Sequence, residues 1–106
     1  QRETLAGATF NHATHSVDIS GEHVGLTARE FELALHLFRN LERPMGRAHL
    51  LELVWGFNAE AQTRTVDVHV SKIRNRLRLR PEFGYRLLPV YNFGYRLEKL
   101  DESGAA

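Results

Sequence analysis

Between residues 8 and 26 apolar and polar positions alternate in three short runs. Ala8 to Asn11 turns Phe10 inward, Ser16 to Ile19 turns Val17 and Ile19 inward, and a third run covers His23 to Leu26. Period-2 alternation marks a half-buried strand. Asn11 to Thr14 and Ser20-Gly21-Glu22 carry the turn formers of hairpin connections. A small antiparallel sheet is therefore expected over residues 5–26, with residues 1–4 as a linker remnant. The period then changes. In Leu26-Thr27-Ala28-Arg29-Glu30-Phe31, Thr27 can cap the amide of Glu30, Glu30 can reach back, and Leu26 can staple onto Phe31. A helix starting at Ala28 is predicted, with Phe31, Ala34, Leu35, Phe38 and Leu41 as its buried stripe and Pro44 as its limit. A second helix is predicted from Arg47 to Trp55. Gly46 serves as its N-cap, Gly56 takes the left-handed position at its end, and Leu50, Leu51, Leu53 and Val54 face inward.

The stretch Gln62 to Arg80, QTRTVDVHVSKIRNRLRLR, predicts a third helix of a different kind. On a 3.6-residue repeat Val66, Val70, Ile73 and Leu77 form a buried face, while Arg64, Val68, Ser71, Lys72 and Asn75 lie opposite. Val68 is the odd member, since a β-branched apolar residue on a solvated face gains nothing from water but suits a thymine methyl in a major groove. Beyond Pro81 the pattern returns to strand. Tyr85 to Tyr91, a turn at Asn92-Phe93-Gly94, and Tyr95 to Leu97 form a hairpin over residues 81–97 behind a helical core at 27–80. Phe-Gly-Tyr-Arg-Leu occurs at 83–87 and again at 93–97. Only the second copy fits the hairpin turn. Two copies are too few for a repeat architecture, and no function is assigned to them.

Charge sharpens the picture. The overall balance is +1, yet residues 1–63 hold 5 arginines against 8 acidic residues, while residues 64–100 hold 9 Lys and Arg against 3 acids. One basic half on a nearly neutral molecule is the footprint of an oriented nucleic-acid binder. The 106 residues, 42% hydrophobic, fit one domain with a core of its own. With no cysteine, thiolate metal sites and redox chemistry are excluded. No apolar run is long enough for a membrane span or signal peptide, so an intracellular protein without membrane contact is expected. His12 and His15 fall in a turn without clustered carboxylates, which argues against a metal site. Asp67 and His69, two apart on a helix, do not face each other, and no nucleophile has a placed base. Neither catalysis nor a cofactor is expected.

Leu26-Thr27 with Glu30-Phe31, Leu50-Leu51, Val54-Trp55-Gly56, Arg64-Thr65-Val66-Asp67-Val68-His69-Val70 and Gly94-Tyr95-Arg96-Leu97 together resemble the DNA-binding effector domain of OmpR/PhoB-type response regulators, from about Leu5 to Leu97. The RTVDVHV segment, at its distance from Val-Trp-Gly, is the strongest part of the match. The resemblance implies an α+β winged helix-turn-helix fold: an N-terminal antiparallel sheet of four strands, three helices and a C-terminal hairpin wing. It implies a recognition helix of about residues 63–78 in the major groove and a wing on the backbone or minor groove. It further implies double-stranded DNA with tandem half-sites, a homodimer on DNA, and location on the cytoplasmic nucleoid. A phosphorylatable receiver domain would precede the chain, and the opening at Gln1 rather than methionine fits a fragment.

Carried over by position, Arg64, Thr65, His69, Ser71 and Arg74 stand where the family contacts phosphates, with Trp55 and Tyr95 adding flanking contacts; these position the helix. Val68, Lys72, Asn75 and Asp67 stand toward base edges: Lys72 suits guanine O6 and N7, and Asn75 suits adenine N6 and N7. Phe57, Asn58 and Glu60 lie in the loop that resembles by position the family's RNA polymerase contact. The departures are local. Ser71 replaces a frequent basic residue and shortens or removes one phosphate contact. In the wing, formed with Arg96, Pro89 stands for a threonine, Tyr91 for an arginine and Asn92 for a glycine. Asn92 tolerates the left-handed region, Pro89 marks an edge or bulge, and Tyr91 lacks the guanidinium a narrow minor groove attracts. Two alternatives stay open: a winged helix that docks an acidic protein, and the effector domain of a one-component or membrane-linked regulator.

Overall fold

A computed structural model describes residues 1–57 and 61–101. Four strands, β1 (Arg2–Leu5), β2 (Ala8–Asn11), β3 (Ser16–Ile19) and β4 (Glu22–Gly25), form an antiparallel meander. The sheet begins at Arg2, so residues 2–4 belong to it and are not a linker. Only Leu5 is an apolar aliphatic residue in this strand, which left no alternation to read. Two of the connections are two-residue turns with positive φ at both central positions, Ala6 (49°) with Gly7 (85°) and Ser20 (52°) with Gly21 (77°). That is the backbone twist that tight hairpins require.

Helix α1 (Ala28–Arg39) starts where expected, because its capping box is formed: Thr27 Oγ1 accepts from the Glu30 amide at 3.2 Å and Glu30 Oε1 accepts from the Thr27 amide at 2.9 Å. It stops at Asn40, whose amide bonds to the His36 and Leu37 carbonyls. The helix therefore ends well short of Pro44, and Leu41 packs from the following turn. Phe10 of β2 meets Phe31 and Phe38 edge-on, with centroids 5.6 and 5.1 Å apart, fusing the sheet to α1.

Helix α2 (Arg47–Trp55) has the expected bounds. Leu50 and Val54 are buried and Leu51 packs at the margin, but Leu53 is 40% exposed. The short helix presents only a narrow stripe to the core, and Leu53 lies off it. Gly56 does have positive φ (97°), although its ψ of 164° is extended and not left-handed helical. Helix α3 (Thr63–Arg76) buries Val66, Val70 and Ile73, and Leu77 follows as its buried C-cap. The three helices pack against one another in pairs.

The second sheet contains a strand the residue pattern did not suggest. Met45–Gly46 is β5, and the order is β5-β7-β6 with β6 (Tyr85–Val90) and β7 (Gly94–Lys99) as the hairpin. Gly94 permits this pairing: a Cβ there would lie 1.9 Å from the Met45 carbonyl oxygen. Strand β6 is at the edge, as Pro89 within it demands. Pro81–Phe83 forms one 3-10 turn, closed by left-handed Gly84 at the head of β6. This gives the first Phe-Gly-Tyr-Arg-Leu copy its turn into the hairpin.

Candidate nucleic-acid interface

Helix α3 is held from three sides, and its fourth side is open. The core grips Val66, Val70 and Ile73. On the wing side, Arg74 Nη2 donates to the Leu87 carbonyl at 2.9 Å. At the α2 side, the His69 and Trp55 rings form a T-shaped pair with centroids 4.9 Å apart, and His69 Nδ1 lies 2.9 Å from the Thr65 carbonyl oxygen. The open side carries Arg64, Val68, Ser71, Lys72 and Asn75, all exposed. Val68 is 47% exposed, as the helical repeat places it.

Several side chains marked out by sequence are occupied within the fold. Both Asp67 oxygens are engaged: Arg47 donates to Oδ1 (3.0 Å) and Oδ2 (2.5 Å), and the Tyr95 hydroxyl donates to Oδ1 at 2.6 Å. Burial pushes the Asp67 carboxyl up, but Tyr95 and Arg47, with Arg64 nearby, hold it below the usual aspartate value. Burial and then the Asp67 carboxylate push the Tyr95 phenol up to about 12, so it stays a donor. Asp67 thus ties α2, α3 and β7 together, and a base edge would have to break that network to reach it. Tyr95 likewise spends its hydroxyl proton inside the fold. Asn75 Oδ1 accepts from Arg80 Nη2 at 2.6 Å, which occupies the oxygen of this exposed side chain and keeps its NH₂ as the donor end. Arg96 sits in β7 with its Nε 3.0 Å from Glu98 Oε2, and Arg86 holds the other Glu98 oxygen at 2.7 Å.

Arg29, Arg47 and Arg80 were not singled out from sequence. Arg29 donates to the Val54 carbonyl at 2.6 Å, and its guanidinium lies 6.0 Å from the Trp55 ring centroid. All three act through partners distant in the chain or just beyond the helix, where periodicity carries no signal. The first turn of α3 holds no acidic residue, and its N-cap Gln62 makes no side-chain cap. The Thr65 amide is taken by the Gln62 carbonyl at 2.8 Å; among the described residues the amides of Thr63 and Arg64 are left for an anion, and the helix dipole favours one.

At the wing, Tyr91 is 90% exposed and Asn92 is left-handed (φ 53°). In the loop before α3, Phe57 is 86% exposed; Asn58 and Glu60 lie outside the described residues. His12 and His15 pack their rings against Phe31, and among the described residues no three His, Asp or Glu side chains gather as a metal site would require. No helix among the described residues is long and apolar enough to cross a membrane.

The family model described as "Transcriptional regulatory protein, C terminal" matches residues 21–97. Similar curated proteins include the sensory transduction protein RegX3 of Mycolicibacterium smegmatis, 37% identical over 79% of this chain and 37% of the relative's length. Another is the transcriptional regulatory protein VxrB of Vibrio cholerae, 39% identical over 85% of this chain and 35% of the relative. The chain thus spans well under half the length of these relatives. Among solved structures, the DNA-binding domain of response regulator AdeR in complex with an intercistronic region aligns with a TM-score of 0.75 at 30% identity, covering 92% of this chain and 99% of that one. The Klebsiella pneumoniae RstA DNA-binding domain in complex with the RstA box aligns at 0.74 and 26% identity, covering 92% and 97%.

Proposed function

Because the chain belongs to the family of transcriptional regulatory protein C-terminal domains, the winged-helix DNA-binding effector domains of OmpR/PhoB-type response regulators, we propose that it binds double-stranded DNA sequence-specifically through α3. The observation that carries this reading is the open face of α3. Val68, Lys72 and Asn75 stand there together in solvent on a helix whose other sides are all secured. Val68 meets a thymine methyl, Lys72 donates to guanine O6 or N7, and Asn75 donates its NH₂ to a base acceptor. Arg64, Ser71 and the uncapped first turn, with Thr65, bind phosphates and set the register. His69, Trp55, Asp67, Tyr95 and Arg74 hold the helix in position. The domain works without catalysis or cofactor.

Selection from a random duplex pool at near-physiological salt tests this, with Lys72→Ala in parallel. Enrichment of a defined site is expected, with preference relaxed at one position in the variant by about 1–3 kcal/mol. Absence of enrichment, even for an enforced dimer, would overturn the reading in favour of a protein-docking module.

Family membership also supports a preceding receiver domain, two copies on tandem half-sites and action at the nucleoid. The exposed Phe57 supports a polymerase contact by its loop. Unchanged promoter activation after replacing residues 57–62 by Gly and Ser would remove that last element.

A further inference from the structure

The wing tip differs in kind from the rest of the basic half. From Pro89 to Gly94 no side chain carries a charge at neutral pH, and two aromatics face solvent, Tyr91 at 90% and Phe93 at 51% exposure. The tip is also stiff. Val90 pairs with Gly94, the Phe93 amide bonds to the Val90 carbonyl at 2.9 Å, and Asn92 takes the left-handed turn position. The Phe93 carbonyl accepts from the Arg47 amide at 2.9 Å, and its ring lies against Gly46, where a Cβ would come within 3.3 Å. Tyr91 is therefore presented on a fixed platform anchored to the start of α2. Little further ordering is needed when such a side chain is buried by a partner.

Position narrows the partner. The tip shares a cleft with Arg47 and Asp67, beside the N-terminal half of α3. A helix with its side chains is about 10–12 Å across and fills a major groove of about 12 Å. A hairpin standing beside α3 must therefore meet the neighbouring phosphate ridge or the minor groove beyond it. To the ridge Tyr91 offers one neutral hydroxyl donor and no cation, and the acid nearest the tip, Asp67, is already satisfied by Arg47 and Tyr95. What the tip offers is a π-face and apolar bulk, the equipment of a wedge that partly unstacks a base step.

Resting on the reading of α3 as the DNA-binding helix, we propose that Tyr91 inserts from the minor groove at one base step flanking the α3 site. The preferred step is the easily unstacked pyrimidine–purine type, TA or CA/TG. Tyr91 thereby supplies specificity through deformability, where α3 supplies it through base edges.

The test uses the selected duplex with 2-aminopurine placed in turn at each flanking position, together with step-swapped duplexes. A fluorescence rise at one position is expected on binding, with binding weakened roughly 5- to 50-fold when that step is replaced by a stiff purine–purine step. Tyr91→Ala should abolish both effects and keep the Lys72-dependent site preference, and Tyr91→Phe should retain both. Lys72-dependent binding with flat 2-aminopurine signals at every position would overturn the wedge alone. So would loss of the effects in Tyr91→Phe, which would assign the hydroxyl instead, or a loss confined to cooperativity between half-sites, which would place the tip on a second copy of the chain. Failure of the wild-type domain to select any duplex would overturn both the wedge and the DNA-binding reading.

Discussion

Helices α1 and α3 are alike in length, 12 and 14 residues, yet one is mostly buried, with a narrow exposed side of Ala28, Arg29 and Arg39, and the other is mostly open. Seven α1 residues are buried, its first turn is sealed by the capping box, and its last turn is fastened by Arg39 to Glu3 of β1 through two bonds of 2.9 and 2.7 Å. Helix α3 buries three residues, leaves its first turn without a side-chain cap and exposes a valine. The difference separates residues that serve the fold from residues that await a partner. Helix α1 meets its own hydrogen-bonding and apolar needs, whereas α3 keeps donors, amides and a methyl-sized apolar surface unmet.

Breaking the buried helix should do most damage. Phe31→Ala removes the ring that meets Phe10, His12 and His15, and a loss of about 3–5 kcal/mol is expected in denaturant unfolding. The corresponding shortening on α3, Ile73→Val, should lose about 0.5–1.5 kcal/mol. Next come two of the three arginines of α3, Arg64 and Arg74. Arg64→Ala should leave the melting temperature in place and lower the salt slope of DNA binding by about one unit. Arg74→Ala should lower the melting temperature as well, because its bond to the Leu87 carbonyl holds the wing. Equal thermal shifts in the two would erase the distinction drawn between them.

The caps sharpen the comparison further. Thr27→Ala should cost about 1 kcal/mol, whereas Gln62→Ser should stabilise by several tenths of a kcal/mol while lowering phosphate affinity, since the new cap competes for the same amides. The smallest effect concerns acid stability. Arg39, with help from His12, holds Glu3 at about 2, well below its ordinary 4.5. A depressed carboxyl stabilises the fold above its unfolded value, and that contribution fades as pH falls from about 4.5 toward 2. Glu3→Gln should flatten the acid limb of the stability profile in that window and change nothing in DNA selection.

The parts legible in sequence are those governed by local rules. The Thr27 and Glu30 cap, the bounds of α2 and the Val66, Val70, Ile73, Leu77 stripe follow from spacing alone. Gly94-Tyr95-Arg96-Leu97, read with the other motifs, led to the right family. What was missed depends on partners far away in the chain. Strand β5 has two residues and exists only because Gly94 lets Met45 approach. Strand β1 has too few apolar residues to show alternation, and Leu53 was misjudged because a short helix gives little leverage on its orientation. The same blindness affects the site. Asp67 looks like an outward acceptor until Arg47 and Tyr95, 20 and 28 residues away, arrive at its oxygens. Among the described residues Lys72 and Val68 have no such partners, and the helical repeat alone puts them on the exposed face where the structure has them.

The pairing of β5 with β7 also orders the events of folding. Met45 and Gly46 find their partners about fifty residues later, at Tyr95 and Gly94, so the amide of Arg47 stays without its Phe93 acceptor until the end of the chain has docked. Loop closure over that span is slow compared with forming a helical turn. The first turn of α2 therefore matures late, together with the hairpin. In hydrogen exchange the amides of Arg47 and Phe93 should open as one unit, apart from the earlier-formed pairing of α1 with the four-stranded sheet.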